Sequence, residues 1–215
     1  MFKRVLIANR GEIAVRVIRA CQELDIETVA IYSEADANAL HVQLADRSVN
    51  VGPADATESY LNKAAILKAA RETHADAIHP GYGFLSEDAD FAEQVTEAGI
   101  TWIGPMPETI RLVGDKDIAR ATIAPSGIPM AKGSEPLTSN EEAIKAAKEV
   151  GYPVILKPVA GGGGKGMCVA HNEEDLRNIL NILVDITKIK YYFEHYIERS
   201  RHIEVQIVAD NYGEI

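Results

Sequence analysis

The sequence predicts an α/β protein in two parts: an open parallel sheet flanked by helices over residues 1–115, then a smaller α+β region over residues 116–215. Three observations carry that prediction. Short apolar runs alternate with helical-period segments through the first half, the signature of right-handed strand–helix–strand crossovers. The proline- and glycine-bearing stretch PSGIP at 125–129 interrupts the pattern, and the boundary falls between residues 110 and 130. Beyond it, one strand-like run enters a glycine cluster and another leaves it, a hairpin-like arrangement.

In order along the chain, residues 5–8 (VLIA) form a short apolar run that ends at Asn9-Arg10-Gly11, a buried strand followed by a turn. Ile13, Val17, Cys21 and Leu24, with Ala14 and Ile18 beside them, repeat at helical spacing. Residues 28–32 make a second strand, 62–73 a helix, 77–79 a strand, 88–98 a helix and 100–103 a strand. Residues 116–124 read as a helix, and Ser139-Asn-Glu-Glu142 opens another with a capping-type start. Strands follow at 153–156 and 167–170 around the glycines, then a helix from 172 to about 183, and strands at 191–197 and 203–209. The final DNYG, 210–213, is a turn signal with a return strand beginning at Glu214, so the chain reads as a fragment of a longer protein.

Composition narrows the function classes. The 215 residues are 47% hydrophobic and 25% charged, within the globular range. A formal charge of -10 argues against general nucleic-acid binding, which needs clustered Lys and Arg, yet leaves room for a local basic pocket. Two cysteines, Cys21 and Cys168, make no disulfide framework and fit a reducing cytoplasm. No apolar run is long enough for a signal peptide or a membrane span.

The densest signal is KPVAGGGGKGM at 157–167. Gly161, Gly163 and Gly166 satisfy the spacing of a dinucleotide fingerprint, but a strand-like run follows where a helix N-terminus must face the pyrophosphate. A P-loop fails twice: Gly166 stands where the metal-binding hydroxyl belongs, and Val159 where the first glycine belongs. A flexible linker is usually polar on both flanks, whereas these flanks are apolar. A hairpin whose backbone N–H groups fold over phosphate fits best, with Lys157 and Lys165 adding charge.

Three further stretches complete a pattern: IANRGEIA at 7–14, HPGYGFLSE at 79–87 and Gly114-Asp-Lys116. With GYPVILK at 151–157 and the glycine run, their order and spacing resemble biotin carboxylase, the ATP-grasp component of biotin-dependent carboxylases, over essentially the whole chain. The glycine lid is shared by ATP-grasp enzymes generally, whereas IANRGEIA and HPGYGFLSE are specific to this family. The resemblance implies a Rossmann-like N-terminal domain followed by the first, α+β part of an ATP-grasp domain. It implies ATP-dependent carboxylation of biotin by bicarbonate, with Mg2+ or Mn2+, a biotin carboxyl carrier protein and a carboxyltransferase as partners, and a homodimer at full length. Acetyl-CoA, propionyl-CoA and pyruvate remain open as final acceptors. Another ATP-grasp ligase and a non-catalytic nucleotide-binding module are the competing readings.

Residue by residue, the resemblance puts Lys116 and Lys157 on the nucleotide phosphates, with the amides of Gly163 and Gly164 in the lid. Lys165 either contacts phosphate or keeps the lid solvated. Glu194, His195, Tyr196 and Ile197 match the segment that holds adenine; His195 replaces a family lysine, which is tolerable if the main chain does the recognition. His202 matches a histidine near the nucleotide, and Glu204 could orient a neighbouring basic group. Tyr82 and Gly83 match the loop facing biotin, and Arg16 and Glu23 the dimer interface. The chain departs from the family pattern in a shortened segment at 177–191 and in Cys168, where arginine is common. The metal carboxylates, substrate arginines and general base are expected beyond residue 215, so no catalytic or metal-binding residue is assigned here, and the isolated segment is expected not to turn over.

Overall fold

The structure, a computed structural model, describes residues 2–114, 116–159, 166–183, 189–210 and 212–215, with only the backbone of 116 and 117. The chain forms two compact units, Met1–Ile123 and Ala124–Ile215.

In the first unit, β1 (Arg4–Ile7), α1 (Gly11–Glu23), β2 (Glu27–Ser33), α2 (Leu40–Leu44) and β3 (Arg47–Gly52) are followed by α3 (Lys63–Glu72), β4 (Ala77–His79), α4 (Ala89–Glu97), β5 (Thr101–Trp102), α5 (Pro107–Gly114) and α6 (Lys116–Ile123). The strands form one parallel sheet in the order β3-β2-β1-β4-β5. The run VLIA is continuous because β1 is buried on both faces. Val5 and Ile7 pack with Ala14, Val17, Ile18 and Cys21 of α1. Leu6 and Ala8 join the opposite core with Ile66, Ala70 and Phe91 from α3 and α4. Asn62 and Asp88 cap α3 and α4, each accepting a backbone N–H three residues on, at 3.0 and 2.8 Å.

Three elements of this unit, α2, β3 and α5, were not predicted. β3 is an edge strand, and of its residues only Val51 is buried, so its sequence carries little apolar signal.

Burial sets a pH dependence. His41 lies inside with Nε2 3.2 Å from the Ile31 carbonyl, and His79 accepts the Gly81 N–H at Nδ1, 3.0 Å. Desolvation holds both imidazoles below their ordinary pKa, so folding favours their neutral form. The unfolded chain then binds more protons than the folded one as pH falls below about 6.5, the free histidine value. Folding stability should therefore fall from pH 7.5 to 5.5, read as a lower urea midpoint. Asp36, Asp46 and Asp76, whose hydrogen-bonded carboxyls sit below their usual range, stay ionised across this window and contribute loss only at more acidic pH.

The second unit holds α7 (Asn140–Val150), β6 (Val154–Pro158), β7 (Cys168–Ala170), α8 (Glu173–Ile182) and β8 (Tyr191–His195). The sheet is antiparallel with order β7-β6-β8. Ser139 accepts the Glu142 N–H at 3.2 Å, and the Glu142 carboxylate returns to the Thr138 N–H at 2.9 Å, completing the capping start. Val154, Leu156 and Phe193 bury one sheet face against Ala143, Ala147 and Leu176 of the two helices.

The strand expected at 203–209 does not form. Ile203, Val205, Ile207 and Val208 are exposed, and no described strand pairs with them. Apolar alternation makes a strand only where a ladder partner takes up the backbone groups. The turn after it does form: Asp210 Oδ1 accepts the N–H groups of Tyr212 at 2.8 Å and Glu214 at 3.1 Å.

Candidate functional site

In the second unit the site is built on the sheet face opposite the helices. Ile155 pairs with Glu194 and Lys157 with Tyr192, so Lys157 and Glu194 share that face as diagonal neighbours, within reach of long side chains. Lys157 Nζ donates to Glu194 Oε2 at 2.5 Å, with 25% and 18% of the two side chains exposed. A strand ending in a half-buried charge needs a partner, and the chain itself supplies one here.

Around Glu194 the main chain is hydrogen-bonded on both edges. The His195 N–H donates away from β6 to the Lys132 carbonyl, and the Tyr196 N–H donates toward β6 to the Pro153 carbonyl, both at 2.8 Å. By that alternation the His195 carbonyl also falls on the edge away from β6, the edge that Lys132, Gly133 and Ser134 line. The His195 ring is engaged elsewhere, with Nδ1 2.8 Å from the Gly151 carbonyl. Lysine or histidine at 195 can thus serve the same backbone edge.

The other residues expected at the nucleotide are placed less completely. Lys116 opens α6, and its side chain lies outside the described residues. Gly163, Gly164 and Lys165 lie outside them altogether. His202 is exposed and lies with Nε2 3.0 Å from Glu204 Oε1. Among those residues, no group of three or more His, Cys, Asp or Glu side chains could hold a metal ion.

In the first unit, the motifs at 7–14 and 79–87 meet at the carboxyl ends of β1 and β4. This is the switch point of the strand order, where open α/β sheets bind ligands. Asn9, 3% exposed, donates from Nδ2 to the carbonyls of Pro80 at 2.7 Å and Tyr82 at 2.8 Å, and its Oδ1 accepts the Arg10 N–H at 2.8 Å. Gly81, at φ +66°, passes so close that a Cβ would lie 2.9 Å from Asn9 Nδ2. Tyr82 is exposed and donates its hydroxyl to Glu12 at 3.1 Å. Gly83 follows at φ 63°.

Phe84 stacks on Tyr60 with ring centroids 5.3 Å apart, and the Arg10 guanidinium lies over both rings at 5.7 and 5.2 Å. Asp36 fixes this group, pairing with Arg10 at 3.2 Å and accepting the Tyr60 hydroxyl at 2.6 Å. Sequence reasoning missed Asn9, Arg10, Asp36 and Tyr60. The available signal was a polar Asn-Arg pair directly after a fully buried strand. Arg16 and Glu23 lie exposed on α1, with no ion pair among the described residues.

Comparison with known proteins gives the arrangement its family. Residues 1–110 match the model of the biotin carboxylase N-terminal domain, and residues 115–215 match the ATP-binding domain of the carbamoyl-phosphate synthase L chain. Biotin carboxylase 1 of Bacillus subtilis is 53% identical over 219 residues, covering 99% of this chain and 49% of that protein. A Campylobacter jejuni biotin carboxylase–β-γ-ATP complex superposes with a TM-score of 0.83 at 45% identity, covering 92% of this chain and 46% of that one. The biotin carboxylase domain dimer of the Hydrogenobacter thermophilus 2-oxoglutarate carboxylase, solved with MgADP, ADP and bicarbonate, gives 0.81 at 48% identity, covering 92% and 45%. The chain spans about half the length of the curated relatives it matches. On this match, extending from the parallel sheet through the antiparallel one, the chain belongs to the biotin carboxylase family.

Proposed function

We propose that this chain is the N-terminal part of an enzyme that carboxylates biotin on a carrier protein, consuming ATP and bicarbonate. The observation that carries the proposal is Lys157, held beside Glu194 at the end of β6 and leading directly into the glycine run. A bicarbonate oxygen attacks the γ-phosphorus and the bond to ADP breaks, giving carboxyphosphate. The carboxyl group then passes to N1 of biotin, which loses its proton, and phosphate leaves. In this reading Lys157 exchanges Glu194 for phosphate oxygens, joined by Lys116 and the amides of Gly163 and Gly164. The main chain of 194–197 brackets the adenine edge, and His202 approaches the nucleotide. Tyr82 and Gly83 face biotin.

A divalent metal would neutralise phosphate charge; no step is assigned to it, because the described residues supply no ligand cluster. The proposal extends to pairing along α1 through Arg16 and Glu23, to a carrier protein and carboxyltransferase as partners, and to a cytoplasmic setting. The last agrees with two free thiols, Cys21 and Cys168. No helix among the described residues is long and apolar enough to cross a membrane.

The test is phosphate release by the full-length protein. Release should require bicarbonate and rise on addition of free biotin. Release that ignores both, or follows a different carboxylate or amine substrate, would point to another ATP-grasp ligase. Nucleotide binding without release would point to a non-catalytic module.

A further inference from the structure

We propose that Asn9 is a positioning residue for biotin: its buried amide fixes the backbone of the Tyr82–Gly83 loop in the orientation the acceptor requires. The inference rests on the reading that this loop faces biotin. It adds a role for the first motif, which sends three side chains, those of Asn9, Arg10 and Glu12, into one loop. Asn9 takes the Pro80 and Tyr82 carbonyls, Arg10 covers the Phe84 ring, and Glu12 accepts the Tyr82 hydroxyl.

The Asn9 amide is the strongest of these grips. Both its donors are spent on loop carbonyls, its acceptor is spent on the Arg10 N–H, and it is almost fully buried. An amide in that state has one rotamer and one register, so the loop backbone cannot shift as a unit without breaking the hydrogen bonds to the Pro80 and Tyr82 carbonyls, one buried and one partly buried. Gly81 is part of the same device. Its missing Cβ lets the loop approach within contact of Asn9 Nδ2 and Ile13 Cγ1, both 2.9 Å from where that atom would sit. Tyr82 remains exposed at the tip, held at its far end by Glu12. The result is a rigid support beneath an exposed aromatic ring and a glycine of positive φ. This division suits binding of a flat ring better than it suits packing.

The experiment uses the full-length enzyme with free biotin as acceptor. Asn9→Asp keeps the shape but replaces both donors with acceptors facing carbonyls. It should raise the KM for biotin about tenfold or more while leaving the KM for ATP and the biotin-independent release of phosphate unchanged. Gly81→Ala, which pushes the loop off Asn9, should show the same split and carries the test if Asn9→Asp does not fold. Glu12→Ala should raise the biotin KM and Glu12→Gln, which can still accept the Tyr82 hydroxyl, should restore it.

Gly83→Ala separates this proposal from the reading beneath it. If Gly83→Ala alters biotin kinetics while Asn9→Asp and Gly81→Ala do not, or alter biotin and ATP in parallel, the positioning role is wrong and the loop assignment stands. If Gly83→Ala and Tyr82→Ala also leave biotin kinetics unchanged, the loop does not face biotin and both fall.

Discussion

Lys157→Ala in the full-length protein is expected to slow bicarbonate- and biotin-dependent ATP cleavage by about two to three orders of magnitude, the usual cost of removing an oriented group from developing transition-state charge. β6 delivers Lys157 at its end with the stem half-buried, and the diagonal register to β8 sets its head beside Glu194. A lysine so placed has its rotamers restricted before any substrate arrives, so little ordering is needed when phosphate replaces the carboxylate. The effect should fall mainly on kcat, because the charge matters most as the γ-phosphoryl group transfers. Stability should change little: a partly exposed pair contributes about 1 kcal/mol or less. Glu194→Gln separates the two partners. It frees Lys157 without removing it, and should shift the KM for ATP more than kcat. Near-normal turnover in Lys157→Ala would remove this lysine from the site.

Phe193→Ala is expected to destabilise the second unit by about 3–5 kcal/mol, a large part of a typical domain's stability. Phe193 is fully buried and packs with Leu156, Ala147 and Leu176, tying β8 to both helices. Its backbone exchanges hydrogen bonds with Ser134 on one edge, Ser134 N–H to the Phe193 carbonyl and Phe193 N–H to Ser134 Oγ, both 2.9 Å. Those bonds survive truncation of the ring, so the loss is one of packing and cavity. Because Glu194, His195 and Ile197 follow on the same strand and its extension, ATP affinity should fall with stability. A shift in the denaturation midpoint equivalent to less than about 1 kcal/mol would show that the β8 ring does not organise this core.

How far the sequence reveals this molecule depends on how each element is stabilised. β1, β2, β4, α1, α3, α4, α7 and α8 were legible because their own apolar periodicity and caps decide them: Asn62, Asp88, Ser139 and Asn172 each cap the helix they precede. β3 was not, because an edge strand takes its identity from β2. The run at 203–209 erred the other way: its alternation is strong, but pairing is a tertiary fact that no local pattern contains.

The same divide runs through the site. Lys157 could be read from its position between an apolar strand and a glycine run, yet its pairing with Glu194 depends on strand register thirty-seven residues apart. The roles of Asn9 and Asp36 were hidden for the same reason, although Asn9-Arg10 stands out as a polar pair after a buried strand. Their chemistry lies in partners brought from β4 and from the turn before α3, and a lone Asn or Asp after a strand looks like an ordinary turn residue.

The most direct test of the proposed function follows one oxygen atom. With bicarbonate labelled with oxygen-18, attack on the γ-phosphorus leaves a bicarbonate oxygen bonded to phosphorus, and carboxyl transfer to biotin then releases phosphate carrying that oxygen. The full-length enzyme supplied with ATP, labelled bicarbonate and biotin should yield phosphate with one bicarbonate-derived oxygen and one equivalent of carboxybiotin. Phosphate bearing oxygen from solvent alone, with no carboxybiotin formed, would contradict the account.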